Sequence, residues 1–226
     1  DFIHNFSLTY KANPHSNQTS SDTIIGKNIV AFLDNHATHT FVIGGHYDHI
    51  GHNQYNLSTD VNSKGLIHNG ADDNASGIAM MLELARNYSQ NNITEPVHFI
   101  FVGFSGEELG LMGSKEISKL IKQKYPNTKL MVNFDMVGRM NSTNNLNIGG
   151  VGTSPSFPSI LKNNKPNHIN TILNFSGVGP SDHSSFYYQD IPVLFFFTGL
   201  HSDYHKPTDD TEKINFNKMG MIFSYT

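Results

Sequence analysis

Cysteine is absent from the 226 residues. That removes disulfide frameworks and thiolate metal sites, so any metal would be held by His, Asp and Glu. Arginine is nearly absent as well, occurring only as Arg86 and Arg139. With 15 Lys+Arg against 19 Asp+Glu and a formal net charge of -4, the chain carries no electrostatic footprint for nucleic acid. No apolar run approaches the roughly 18 residues of a membrane span. The longest, Pro192 to Phe197, reads as a buried strand. There is no HExxH pair and no glycine-rich phosphate loop. Gly103-Phe104-Ser105-Gly106-Glu107 only grazes a nucleophile elbow, because its fifth position is Glu. Internal repeats, linkers and low-complexity segments are missing. No leader is visible at Asp1, and the chain stops in what reads as an unfinished helix, so both ends are expected to be trimmed.

What is present describes one globular domain. Hydrophobic residues make up 37% and aromatics 11%, enough for a full core at this length. Asn-x-Ser/Thr sequons at Asn5, Asn17, Asn56, Asn74, Asn87, Asn92, Asn141 and Asn174 are expected by chance in so asparagine-rich a chain. Ile24 to Leu33 and Phe41 to Gly45 read as strands about a turn at Asp34-Asn35-His36. Gln54 to Asn69 reads as a polar loop. Ser76 is placed to cap a helix to about Tyr88, with Ile78, Met81, Leu82, Ala85 and Tyr88 on its inner face. Val97 to Phe104, Leu130 to Phe134 and Pro192 to Thr198 read as strands. Leu109 to Lys122, Ser156 to Asn164, Ser181 to Tyr188 and the stretch from Asn215 read as helices. Strands alternating with helices predict an α/β fold, a mostly parallel or mixed central sheet flanked by helices on both faces. In such sheets ligands gather beyond the carboxyl ends of the strands.

Five strand ends deliver chemistry there. His46 ends one strand, with Asp48 two residues on and on the same side of an extended segment, where a carboxylate could take the other imidazole proton. A turn at Gly51 is expected to aim His49 and His52 elsewhere. Asp72-Asp73 reads equally as an acidic helix start or as a pair held against repulsion by a dication. Glu107-Glu108 follows an apolar strand; a solvated pair at a helix start is the plain alternative. Asp135 is an acid in an apolar strand, costly to bury unless paired or metal-bound. His205 reads as a turn residue or a ligand.

Together, GGHYDHIG, HNGADDNASG, FSGEELGLMGS, NFDMVGRM and DYHKPTDDTEKI resemble the co-catalytic two-zinc aminopeptidase family, the bacterial leucyl-type aminopeptidases with glutamate carboxypeptidases and glutaminyl cyclases as relatives. The resemblance runs from about Lys27 to the C-terminus. It implies a single zinc-peptidase catalytic domain over residues 1–226 and two zinc ions. His46 and Asp135 would bind one ion, Glu108 and His205 the other, and Asp73 both. Asp72 would not bind metal, and a cis peptide is expected at Asp73-Asn74. Glu107 would be the general base. Tyr204 would donate to the developing oxyanion or else pack in the core. Asp182 and His183 match a segment lining the substrate pocket, where Ser181 reads equally as a helix cap. Arg139 is expected to pair with a nearby acid. The implied substrate is a peptide with a free N-terminus, and the implied location is secreted or periplasmic. A carboxypeptidase or dipeptidase is the nearest rival, followed by a one-zinc glutaminyl cyclase and a ligand-free binding ectodomain.

Overall fold

The computed structural model describes residues 2–10 and 22–226; the sequon at Asn17 lies outside them. Among the described residues, eight strands form one mixed sheet: β1 (Phe2–Tyr10), β2 (Asp22–Leu33), β3 (His39–His46), β4 (Val97–Phe104), β5 (Thr128–Phe134), β6 (Asn145–Gly149), β7 (Asn170–Leu173) and β8 (Val193–Phe197). Their order is β1-β2-β4-β3-β5-β8-β6-β7. The central β4, β3, β5 and β8 run parallel, while β2 and β6 join this block antiparallel. The α/β class with helices on both faces therefore holds. Strands β1, β6 and β7 were not legible in the sequence, the last two because they are short and rich in asparagine.

Alternation along β4 sets the two faces. Phe99 and Phe101 point into a core shared with Met80, Met81 and Leu84 of helix α1 (Gly77–Gln90). Ile100, Val102 and Phe104 point the other way, onto Ile117 and Ile121 of α2 (Met112–Lys124) and Phe186 of α4 (His183–Tyr187). Helix α3 (Phe157–Asn164) adds Phe157 and Leu161 to the first core, and α5 (Phe216–Phe223) adds Met219 and Ile222. Among the described residues no helix is long and apolar enough to cross a membrane.

Three expected details differ. On α1, Ile78, Met81, Ala85 and Tyr88 pack against the core as expected, joined by Met80 and Leu84, whereas Leu82 is exposed. Ser76 does not cap α1. Its hydroxyl donates to the Asp72 carbonyl and carboxylate and accepts from the Val137 N–H. Helix α2 begins at Met112, after left-handed Leu111, so Glu107 and Glu108 lie in a turn rather than against a helix start.

Candidate metal centre

The carboxyl ends of three neighbouring strands set the site: β3 ends in His46, β4 runs into Glu107-Glu108, and β5 is followed by Asp135. Asp73 comes from the turn before α1. That turn is stapled to the end of β5 by Asn74, whose Nδ2 donates to the Phe134 carbonyl at 2.9 Å. Its Oδ1 accepts from the N–H groups of Gly77 and Met136 at 3.0 and 3.1 Å. Asn74 is thereby buried, and its sequon is closed to modification. The Asp73-Asn74 peptide is cis, as expected.

Asp73 divides its two oxygens. Oδ1 lies 3.3 Å from His46 Nε2, which is also 3.4 Å from Asp135 Oδ1. Oδ2 lies 3.3 Å from His205 Nε2, which is 3.0 Å from Glu108 Oε2. Each histidine spends its other nitrogen on a carbonyl: His46 Nδ1 on Asp48 O at 3.1 Å, His205 Nδ1 on Leu57 O at 2.9 Å. A carbonyl only accepts, so both Nδ1 atoms carry a proton, and both Nε2 atoms face the carboxylates.

Such a donor set fits cations. His46 Nε2 and Asp135 Oδ1 face each other, buried and without a hydrogen-bond partner. Separations of 3.0–3.4 Å match the edge of a tetrahedron built on bonds of about 2.0–2.1 Å, the zinc–nitrogen and zinc–oxygen range. The carboxylates also set the charge of the two imidazoles. Burial alone would lower the His205 pKa, yet Asp73 and Glu108 raise it to about 10. Burial likewise opposes protonation of His46, and Asp135 and Asp73 overcome it. Burial would raise Asp73, but His205 and His46 hold it well below the usual carboxylate range.

The surroundings sort the remaining candidates. Asp72 turns away: Oδ1 accepts from the Gly138 N–H at 2.7 Å and Oδ2 lies 3.1 Å from His201 Nε2. Arg139 pairs with Asp203 at 2.7 Å, as expected. The Asp48 carboxylate does not take the His46 proton; it accepts from the N–H groups of Glu107 and Glu108 at 3.2 and 3.4 Å, and its backbone carbonyl holds the ring instead. Ser181 is no helix cap either. Its hydroxyl donates to Asp135 Oδ2 at 2.7 Å and accepts from Asn133 Nδ2 at 2.8 Å. His49 does not point elsewhere: its Nδ1 is 2.8 Å from Glu108 Oε1.

A cavity of about 80 Å³ is lined by Asp73, Glu107, Asp135, Tyr204 and His205 together with the apolar Met136, Phe195, Phe197 and Leu200. Tyr204 stacks on His205 with centroids 3.9 Å apart. Asp182 and His183 are buried and do not line this cavity; His183 stacks on Phe195, which does, with centroids 4.4 Å apart.

Two contacts escaped the sequence. Asp209 Oδ2 accepts from the N–H groups of both Asp72 and Asp73, at 2.9 and 3.0 Å. The loop at residues 57–59 grips the His205 turn, with Thr59 N and Ser58 Oγ donating to His205 O and Thr59 Oγ1 to Tyr204 O. Neither leaves a local signal, since both join segments far apart in the chain.

A match to peptidase family M28 covers residues 28–225. A probable leucine aminopeptidase of Arthroderma otae is 28% identical over 209 residues, 85% of this chain and 53% of that protein. The LapA aminopeptidase of Legionella pneumophila superimposes with a TM-score of 0.71 at 23% identity, over 99% of this chain and 56% of that one. A glutaminyl cyclase of Bacteroides thetaiotaomicron gives 0.75 at 16% identity, over 99% and 81%. At those identities the two structures share the fold. Matches to curated relatives such as a probable zinc metalloprotease of Pyrenophora tritici-repentis and the Arthroderma otae protein span 20% and 53% of their lengths.

Proposed function

This chain belongs to peptidase family M28, and from that premise we propose that it is a zinc-dependent aminopeptidase domain using two metal ions. The observation that carries the reading is the division of the Asp73 carboxylate between the His46–Asp135 pair and the His205–Glu108 pair. Each half supplies one imidazole and one further carboxylate, so five residues make two equivalent sites around one bridge. A one-metal cyclase or a ligand-free binding module has no need of that symmetry.

Zinc bound in these two sites supplies Lewis acidity to the scissile carbonyl and to the attacking water. The protein's part is positional and protonic. Glu107 lines the cavity beside Asp73 and Asp135 and acts as general base and then acid, taking the water proton and returning it to the leaving amine. Burial pushes its carboxyl up to about 10; His46 lowers it and Asp182, Asp135 and Glu108 raise it further. Cations among those carboxylates oppose the rise and favour the basic form. Tyr204, on the same wall, is placed to donate its hydroxyl to the oxygen of the scissile carbonyl as charge builds there.

Substrate polarity follows from charge. Neither lysine nor arginine is among the residues that line the cavity, so no side chain there pairs with a substrate carboxylate. The arginines offer no clamp for a carboxylate, since Arg139 is spent on Asp203 and Arg86 pairs with Glu83 on α1. This supports cleavage at a free N-terminus over carboxypeptidase action. Met136, Phe195, Phe197 and Leu200 suit an apolar first side chain. A secreted or periplasmic location is part of the same proposal.

The deciding experiment compares chromogenic leucyl, glutamyl and N-acetyl-leucyl substrates, with and without a chelator. Chelator-sensitive cleavage of the free leucyl substrate alone is expected. Equal cleavage of the blocked substrate would refute the assignment.

A further inference from the structure

Glu108 offers two oxygens to two different histidines. Oε2 lies 3.0 Å from His205 Nε2, within the donor set that also contains Asp73 Oδ2. Oε1 lies 2.8 Å from His49 Nδ1. A carboxylate only accepts, so His49 Nδ1 carries the proton and donates it. The same nitrogen is 4.0 Å from Asp73 Oδ2, beyond the 3.0–3.4 Å spacing shared by the other four residues around the bridge. His49 therefore stands one layer outside the donors.

Its ring is fixed independently of Glu108. A Cβ on Gly70 would fall 2.6 Å from His49 Cγ, so this glycine, at φ +64°, leaves the space the ring fills beside the Asp72-Asp73 turn. From another side the ring meets His205 edge-on, with centroids 5.8 Å apart at 76°. The His49 side chain is only 9% exposed. A donor so confined sets the rotamer of whatever it bonds.

We propose that His49 is a positioning residue for the metal site formed by Asp73, Glu108 and His205. Its Nδ1–H holds Glu108 Oε1 and leaves Oε2 as the single oxygen turned toward that site. The proposal rests on the two-zinc reading above. Without the restraint, Glu108 could swing or offer both oxygens, and the carboxylate would lose its fixed direction. Partners that orient a metal-binding side chain typically contribute about 10–100-fold in metal affinity.

Zinc binding, measured by competition with a chromogenic chelator, tests this without turnover. His49→Ala should weaken one of the two sites by about 10–100-fold and leave the other unchanged. His49→Asn keeps an N–H donor where Nδ1 stands and should recover most of the loss. His49 also borders a cavity of about 200 Å³ with Ile50, Gln54 and Leu109, so shortening it extends an existing space and should leave the fold intact by circular dichroism. Wild-type affinity at both sites in His49→Ala would overturn the proposal. So would equal weakening in His49→Asn and His49→Ala, which would make the ring nitrogen a ligand. A wild-type protein that binds fewer than two zinc ions would instead overturn the two-zinc reading, and that titration comes first.

Discussion

Glu107 and Glu108 share a peptide bond and not an environment. Burial pushes Glu107 up to about 10, with His46 opposing and Asp182, Asp135 and Glu108 reinforcing. Burial would raise Glu108 too, yet hydrogen bonds from His205 and His49 bring it below its usual range. The Asp48 carboxylate fixes both by accepting from their two N–H groups, so the side chains diverge from a pinned backbone. One is built to stay ionised among histidines, the other to exchange a proton.

The two residues should therefore fail differently. Glu107→Gln is expected to retain both zinc ions and lose roughly 10²–10⁴-fold in kcat, the usual range for a general base. Glu108→Gln is expected to lose zinc from one site. Metal content after dialysis, measured by emission spectroscopy beside kcat, separates the two. A Glu107→Gln variant with normal turnover would remove the proposed base.

Chelation should lower stability as well as activity. A ligand at about 100 times its Kd stabilises the native state by about 2.7 kcal/mol, and a domain of this size shifts its Tm by about 2–4 °C per kcal/mol. Scanning calorimetry should show a fall of roughly 5–10 °C on adding chelator, reversed by excess zinc. An unchanged Tm would show that no tightly held metal links to the fold.

His183 sets an acid limit. It is 1% exposed and stacked on Phe195, and burial lowers its pKa to about 4 from a model-peptide value near 6.5. Between those values the unfolded chain binds a proton that the native state refuses, so stability falls as pH drops through 6.5 and levels near 4. The gap corresponds to about 3 kcal/mol. His183→Phe keeps the stack and cannot titrate. The urea midpoint should fall less between pH 7 and pH 4.5 in this variant than in wild type; an equal fall would contradict the assignment.

Asp209 supports the Asp72-Asp73 turn from behind. Replacing it with Ala leaves the Asp72 and Asp73 N–H groups without their acceptor, at a cost on the order of 1–3 kcal/mol for each buried donor. Asp209→Asn keeps an acceptor oxygen and should be milder. Denaturant midpoints measured without metal isolate this from zinc binding. Equal stability of the two variants would show that the hydrogen bonds are dispensable.

Much of the fold was legible because β4, β5 and β8 are rich in apolar residues, and α2 and α3 carry a helical apolar stripe. Strands β6 and β7 were not legible, since short polar strands have no signal of their own, and the position of Leu82 was not, since the sheet selects which flank of a stripe it covers. At the site, His46, Glu107, Glu108 and Asp135 stood out past strand ends, while the grouping with Asp73 and His205 came from the family resemblance. The directions of His49, Asp48 and Ser181 could not. His49 was expected to turn away at Gly51, but the chain there closes a bridge to His68 that leaves the ring facing Glu108.

By itself the sequence determined which chemistry was possible. With no cysteine and a run of acids and imidazoles past apolar strands, only nitrogen and oxygen donors were available, already in the right chain order. Tertiary structure decided how each donor is aimed. Hydrogen bonds between distant segments, such as Ser181 to Asp135, Asp209 to the Asp73 turn, Leu57 to His205 and His49 to Glu108, choose one lone pair over another. Such choices depend on ångström-scale placement across the folded sheet, which no local pattern of residues encodes.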